Sequence, residues 1–172
     1  MKADLHCHSY FSDGSLSPRE LVTLAHQAGV TDLALTDHDT LDGLAEAQIA
    51  ADETGITLIK GIELSCTWEK QLIHVVGLNI DPSNKALRRG VKQNKQRRLD
   101  RAEAMLEDFE QHDIFLRESV ADLIKDRSVP TRPHFAQALV DHGYAKDKKQ
   151  AFKRYLVRGK PGYIPMSWPD IE

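Results

Sequence analysis

Apolar and polar positions along the first 81 residues follow two periods. Short apolar runs that favour extended chain occur at residues 2–8, 32–36, 57–62 and 71–78, and the stretches between the first three are spaced like helices. Ser17-Pro18-Arg19-Glu20 predicts a helix start, with a capping serine and a proline in the first turn, and Gly29 marks its end. A second helix is predicted over residues 41–53, with Gly55 beyond it. Strands and helices alternating at these lengths predict an α/β fold with a parallel sheet, open or closed into a barrel.

After Asp81-Pro82 the pattern changes. Residues 83–112 contain no proline and only Gly90, and Leu99, Ala102, Leu106 and Phe109 recur at helical spacing, which predicts one long amphipathic helix. Shorter helices are predicted over residues 118–125, 133–142 and 147–157, before a Gly/Pro-rich stretch from Gly159 to Pro165. The organisation read from this pattern is an N-terminal α/β part over residues 1–82, a helical insertion or cap over 83–165, and a return to the first part over 166–172. Ser167-Trp168-Pro169-Asp170-Ile171-Glu172 reads as a helix start cut before its helix, so the fold is expected to be incomplete as written.

Composition narrows the class. With 172 residues, 41% hydrophobic and 28% charged, the chain fits one globular domain and excludes collagen-like, coiled-coil and low-complexity classes. The longest mostly apolar stretch, residues 72–80, is interrupted by His74 and Asn79, so no membrane span is expected. The N-terminus has no apolar signal-peptide core, and a cytoplasmic address is the expectation. Cys7 and Cys66 are too few for a disulfide framework and are expected as free thiols. Residues 1–84 carry 4 Lys+Arg against 13 Asp+Glu, and residues 85–172 carry 19 against 13. The acidic part suits cations and the basic part suits an anion.

The chemistry-bearing residues fall at strand ends. Asp4, His6 and His8 repeat at period two, so they share one face of the first strand, where two imidazoles can chelate one cation. Ser12-Asp13-Gly14 follows that strand, Thr36-Asp37-His38-Asp39 ends the second, Gly61-Ile62-Glu63 ends the third and His74 lies in the fourth. Mixed imidazole and carboxylate ligands at several strand ends point to a multinuclear metal site. The plainer alternative makes Asp13, Asp37 and Asp39 caps or turn residues and His74 a core histidine. Residues 85–101 carry eight basic side chains against Asp100 alone. This run is either a solvated helix face or, at Arg98 and Arg101 with Arg132 and Lys160 in support, a phosphate-binding one. His26, His112 and His142 read as surface or packing residues.

Asp4-Leu5-His6-Cys7-His8-Ser9 with Ser12-Asp13-Gly14, Leu35-Thr36-Asp37-His38-Asp39-Thr40 and Gly61-Ile62-Glu63-Leu64-Ser65 together resemble the PHP (polymerase and histidinol phosphatase) family of metal-dependent phosphoesterases. The segments from His74 to Asp81, Arg132-Pro133-His134 and Gly159-Lys160-Pro161-Gly162-Tyr163 extend the match over essentially the whole chain, closest to the branch of 3′,5′-nucleotide bisphosphate phosphatases and a 5′-to-3′ exoribonuclease. The resemblance implies a distorted seven-stranded βα barrel with a helical insertion and a trinuclear centre. Its ligands would be His6, His8, Asp13, His38, Glu63, His74 and His134, with Glu63 bridging and with Asp13, His38, Glu63 and His134 serving catalysis. Manganese is the expected metal, with iron, zinc or magnesium as alternatives. The family's later Asp-x-His motif is absent from this chain. The implied substrates are nucleoside 3′,5′-bisphosphates or the 5′ ends of short single-stranded RNA, with neither duplex DNA nor membrane as a partner and protein partners left open. A histidinol-phosphate-type phosphatase and a catalytically incomplete binding module are the competing readings.

Overall fold

Ser17 opens the first helix as its motif predicts. In the computed structural model, which describes residues 1–124, 129–166 and 168–170, Glu20 N donates to Ser17 Oγ (3.1 Å) and Ser17 N donates to Glu20 Oε2 (2.8 Å). This reciprocal box, with Pro18 in the first turn, starts α1 (Pro18–Gln27). It lies between β1 (Ala3–Cys7) and β2 (Asp32–Leu35), and α2 (Leu44–Thr54) leads into β3 (Thr57–Trp68) and β4 (Gln71–Leu78). Val22, Val30, Leu33, Leu35, Ile56 and the alanine-rich face of α2 form one buried core against the sheet.

The four strands lie in the order β1-β2-β3-β4, and the two pairings among the first three are parallel, as expected. The fourth departs from the expected all-parallel pattern: β4 runs antiparallel to β3, from Trp68↔Gln71 to Gly61↔Leu78. β3 is twice its predicted length because Leu64 to Trp68 continue into this hairpin. Glu69 and Lys70 make the turn with φ of 48° and 65°. Paired positive φ values suit a two-residue hairpin, but the usual Asn-Gly signature is missing, which is why the turn was not legible. Among the described residues each of β1 and β4 has a single neighbour in the sheet.

The helical part is close to its prediction: α3 (Lys85–Glu110), α4 (Arg117–Ile124), α5 (Arg132–Asp141) and α6 (Lys148–Tyr155). Ala102, Leu106 and Phe109 enter a core with Met105, Phe135, Leu139 and Leu156, whereas Leu99 remains exposed because the buried face of α3 runs through Asn94, Arg98, Ala102 and Met105 and leaves it to one side. Residue 125, the expected end of the fourth helix, lies outside the described residues. Of the expected helix start near the C-terminus, residues 168–170 are described, and they contact the end of β3. Thr67 N donates to Pro169 O (2.9 Å), and Thr67 forms an isolated parallel bridge with Asp170. Ser167, Ile171 and Glu172 of that expected start are not among the described residues.

The chain divides into two compact units, Met1–Lys95 with Trp168–Glu172, and Gln96–Ser167. Among the described residues, no helix is long and apolar enough to cross a membrane.

Candidate metal centre

Backbone pairing at the ends of three strands of the first unit draws its polar side chains together. Past the end of β2 the chain stays bound to β3: Glu63 N donates to Asp37 O (3.2 Å), Asp39 N donates to Glu63 O (3.0 Å), and His38 and Glu63 form an isolated parallel bridge. His74 on β4 is paired with Ser65, two positions from Glu63, so Glu63, Ser65 and His74 share one face of the hairpin. His6 and His8 arrive from the end of β1.

Glu63 lies at the middle of the cluster. Its Oε2 is 2.7 Å from His6 Nε2, 3.2 Å from His8 Nε2 and 3.8 Å from His38 Nδ1, while its Oε1 is 3.0 Å from His74 Nδ1. Burial pushes this carboxyl up, but His38, the His6 hydrogen bond, His8 and His74 outweigh it, so Glu63 is held below the usual carboxylate range. Asp13 sits between two rings, 3.7 Å from His8 Nδ1 and 3.8 Å from His38 Nε2. The rings of His8 and His38 stack with centroids 4.7 Å apart.

This donor set fits divalent cations. Three groups, His6–His8–Glu63, His8–Asp13–His38 and His38–Glu63–His74, each hold their ligand atoms within 4.8 Å of one another. Two pairs of ring nitrogens come close, His6 Nε2 with His8 Nε2 at 3.1 Å and His38 Nδ1 with His74 Nδ1 at 3.3 Å. Ring nitrogens at such a distance share either a proton or a cation. Six of the seven expected ligands thus meet in the first unit. The seventh, His134, lies in the second, at the start of α5, where its Nδ1 accepts from Thr131 N (3.1 Å).

The support around these ligands was only partly legible. Asp37 is 3% exposed and accepts from Ser9 N (2.7 Å), Ser9 Oγ (2.6 Å) and Ser12 Oγ (2.7 Å). Burial raises its pKa, and these hydrogen bonds oppose the rise. They clamp the loop that joins His8 to Asp13. Gly14 closes that loop against the backbone carbonyl of His8, where a side chain would collide. Asp39 is buried at φ 52°, a left-handed conformation that few residues tolerate, and its Oδ1 accepts from Ser65 N (2.9 Å) and Asn94 Nδ2 (2.8 Å). Asn94 went unrecognised because its only sequence signal was one polar residue within a strongly polar helix.

Cys7 Sγ donates to Ala34 O (3.1 Å), and its thiol is pushed up to about 12 by burial and by Asp4 and Asp37. It stays a protonated packing residue, as does Cys66, whose pKa burial also raises.

In the second unit Arg98, Arg101 and Arg132 line one small cavity with Thr131, Met105 and Phe135, while Lys160 is not among the lining residues. Burial, together with Arg132 and Arg98, pulls the Arg101 guanidinium down to about 10. Its Nε donates to Ile164 O (2.8 Å).

Comparison with known proteins agrees with this geometry. Residues 4–158 match the PHP domain model. The chain is 45% identical over 170 residues to a 5′-3′ exoribonuclease of Haemophilus influenzae, covering 99% of this chain and 62% of the relative. It is 41% identical to a 3′,5′-nucleoside bisphosphate phosphatase of Chromobacterium violaceum, covering 98% of this chain and 60% of the relative. A solved amidohydrolase structure from Chromobacterium violaceum superposes with a TM-score of 0.93 at 40% identity, over 99% of this chain and 60% of that one. A structure from Bifidobacterium adolescentis assigned as a metal-dependent phosphoesterase superposes at 0.92 and 33% identity, over 98% of this chain and 60% of that one. The chain therefore belongs to the PHP domain family, and it spans about 60% of the length of these relatives.

Proposed function

We propose that the protein is a metal-dependent phosphoesterase that acts in the cytoplasm on nucleoside 3′,5′-bisphosphates or on the 5′ ends of short single-stranded RNA. The observation that carries this reading is Glu63, whose two oxygens face different histidines, as a carboxylate bridging two cations would. On this reading His6, His8, Asp13, His38, Glu63 and His74 hold a trinuclear centre, with manganese the preferred metal. Divalent cations bound there would activate water as hydroxide and neutralise charge on the phosphoryl oxygens. The finer fold expectation, a seven-stranded barrel, belongs to the same proposal, since further strands would pair along the open edges of β1 and β4.

The chain's own residues narrow the mechanism. Ser9 and Ser12 are fully buried and give their hydroxyls to Asp37, and Cys7 holds its proton, so none of the three serves as a nucleophile. Attack by water is what remains. Asp37 and Asp39 hold the two ligand loops in place. His134 is assigned by its motif as a further metal ligand and catalytic residue. Arg98, Arg101 and Arg132 bind substrate phosphate, since three guanidinium groups line one cavity and suit an anion, and Lys160, outside that cavity, is assigned as a further substrate-binding residue by its motif. Names borne by two relatives, a bisphosphate phosphatase and an exoribonuclease, support this choice of substrates.

The test is phosphate release from adenosine 3′,5′-bisphosphate with Mn²⁺, beside a chelated control and the variants His8→Ala and Glu63→Ala. Chelator-sensitive release, abolished with reduced metal content in both variants, is expected. Full activity and metal content in Glu63→Ala would remove that residue from the centre and the proposal with it.

A further inference from the structure

Within the first unit, a groove of about 420 Å³ lies between the loop that follows His38 and the first turns of α3. Leu41, Pro82 and Val91 give it an apolar floor, and Arg88, Lys92 and Lys95 give it a basic wall. Arg88, Val91, Lys92 and Lys95 fall at i, i+3, i+4 and i+7, so one face of α3 supplies the whole wall, with Cβ atoms about 5–6 Å apart from turn to turn. Lys95 Nζ is paired with Asp42, the one acid of the groove among the described residues, at 2.9 Å. Arg88 and Lys92 are exposed and have no acidic partner among the described residues. The groove thus carries two uncompensated positive charges, both from the basic run that opens α3.

Its position links it to the centre. Leu41 and Asp42 follow His38 by three and four residues, and α3 is fastened to the same loop by Asn94 Nδ2, which donates to Asp39 Oδ1 (2.8 Å) and to Ser65 O (2.9 Å). We propose that this groove holds the phosphodiester backbone of a single-stranded oligonucleotide whose terminal nucleotide is processed at the metal centre; the proposal rests on the nucleotide-directed reading given above. Among the described residues no aromatic ring lines the groove, so it grips phosphates and sugars and does not stack bases. The contact is therefore independent of base sequence and steeply dependent on salt. A nucleoside bisphosphate has no further phosphodiester to place there, so the groove distinguishes a strand from a mononucleotide.

The experiment is fluorescence anisotropy with a 3′-labelled pentaribonucleotide, in chelator, comparing the wild-type chain with the double variant Arg88→Gln/Lys92→Gln over a salt series. Adenosine 3′,5′-bisphosphate binding is measured in parallel by calorimetry. Both side chains are exposed, and a wild-type circular dichroism spectrum verifies the fold of the variant. At about 50 mM salt the variant is expected to bind the pentanucleotide at least roughly fivefold more weakly, with a salt slope shallower by about 1.4, two phosphate contacts at ~0.7 each. Binding of the bisphosphate is expected to stay the same. Unchanged affinity and slope for the pentanucleotide, or an equal loss for both ligands, would overturn the groove, as would a wild-type chain that fails to bind the pentanucleotide. If the wild type binds the strand through Arg88 and Lys92 but releases no phosphate with Mn²⁺, the groove stands and the catalytic reading fails.

Discussion

At the scale of single residues, Asp37 shows how a buried acid supports a neighbouring site. Three donors from Ser9 and Ser12 converge on its two oxygens, and that convergence orders the loop bearing Asp13. Asp37→Asn keeps the shape but replaces one acceptor oxygen with a donor facing those hydrogen bonds. A loss of roughly 1–3 kcal/mol in stability by urea denaturation is expected. Mn²⁺ affinity by calorimetry should fall about 10–100-fold, as for other groups that orient metal ligands. Undiminished affinity would show that the loop is held by other means. Ser17 and Glu20 provide a second case at this scale. Ser17→Ala removes the cap at a cost of about 1 kcal/mol at neutral pH. The hydrogen bonds from Ser17 hold the Glu20 carboxyl below its ordinary value. Alanine keeps the backbone N–H and loses the hydroxyl, so only the hydroxyl's share is removed; that share is complete above the unfolded pKa and lost as pH falls through the depressed folded value, so part of the Ser17→Ala penalty should disappear in acid. Urea midpoints of the two proteins at pH 7 and pH 3 test this.

Among the elements, the β3–β4 hairpin determines the site most directly, because it carries both Glu63 and His74. Its turn sets Glu69 and Lys70 at positive φ, a conformation that costs roughly 1–2 kcal/mol per non-glycine residue. Replacing the pair with Asn-Gly is expected to raise stability by about 1 kcal/mol without altering metal content, with thermal unfolding and metal analysis as the readouts. A destabilised variant would mean that the two side chains contribute more than the strained backbone costs. α1 and α2 were readable because capping and termination are local in sequence. The hairpin was not, since its direction depends on pairing between strands and on a turn built from atypical residues.

At the scale of the molecule, each unit has its own hydrophobic core, one under the sheet and one around Phe109. Phe109 is fully buried, with its ring 6.3 Å from those of Phe135 and Tyr155, and Phe109→Ala should cost about 3–5 kcal/mol. Both tryptophans, Trp68 and Trp168, belong to the first unit, whereas most of the second unit is helix. In the variant, the loss of far-ultraviolet helix signal should therefore precede the change in tryptophan fluorescence along a urea series. Coincident transitions would show that the two cores melt as one.

From its sequence alone this chain could be read as α/β followed by a helical segment, because hydrophobic periodicity, helix caps and strand-end histidines all act over a few residues. Six of the proposed ligands were nameable on the same basis, each lying in a short motif at or just past a strand. Their convergence was a different matter: the two-sided environment of Glu63, the clamp of Ser9 and Ser12 on Asp37, and the reach of Asn94 to Asp39 join residues 25 to 57 positions apart. Such contacts depend on which strands pair, in which direction and in which register. These are properties of the folded backbone that no local pattern encodes, and they turned a set of polar motifs into one candidate centre.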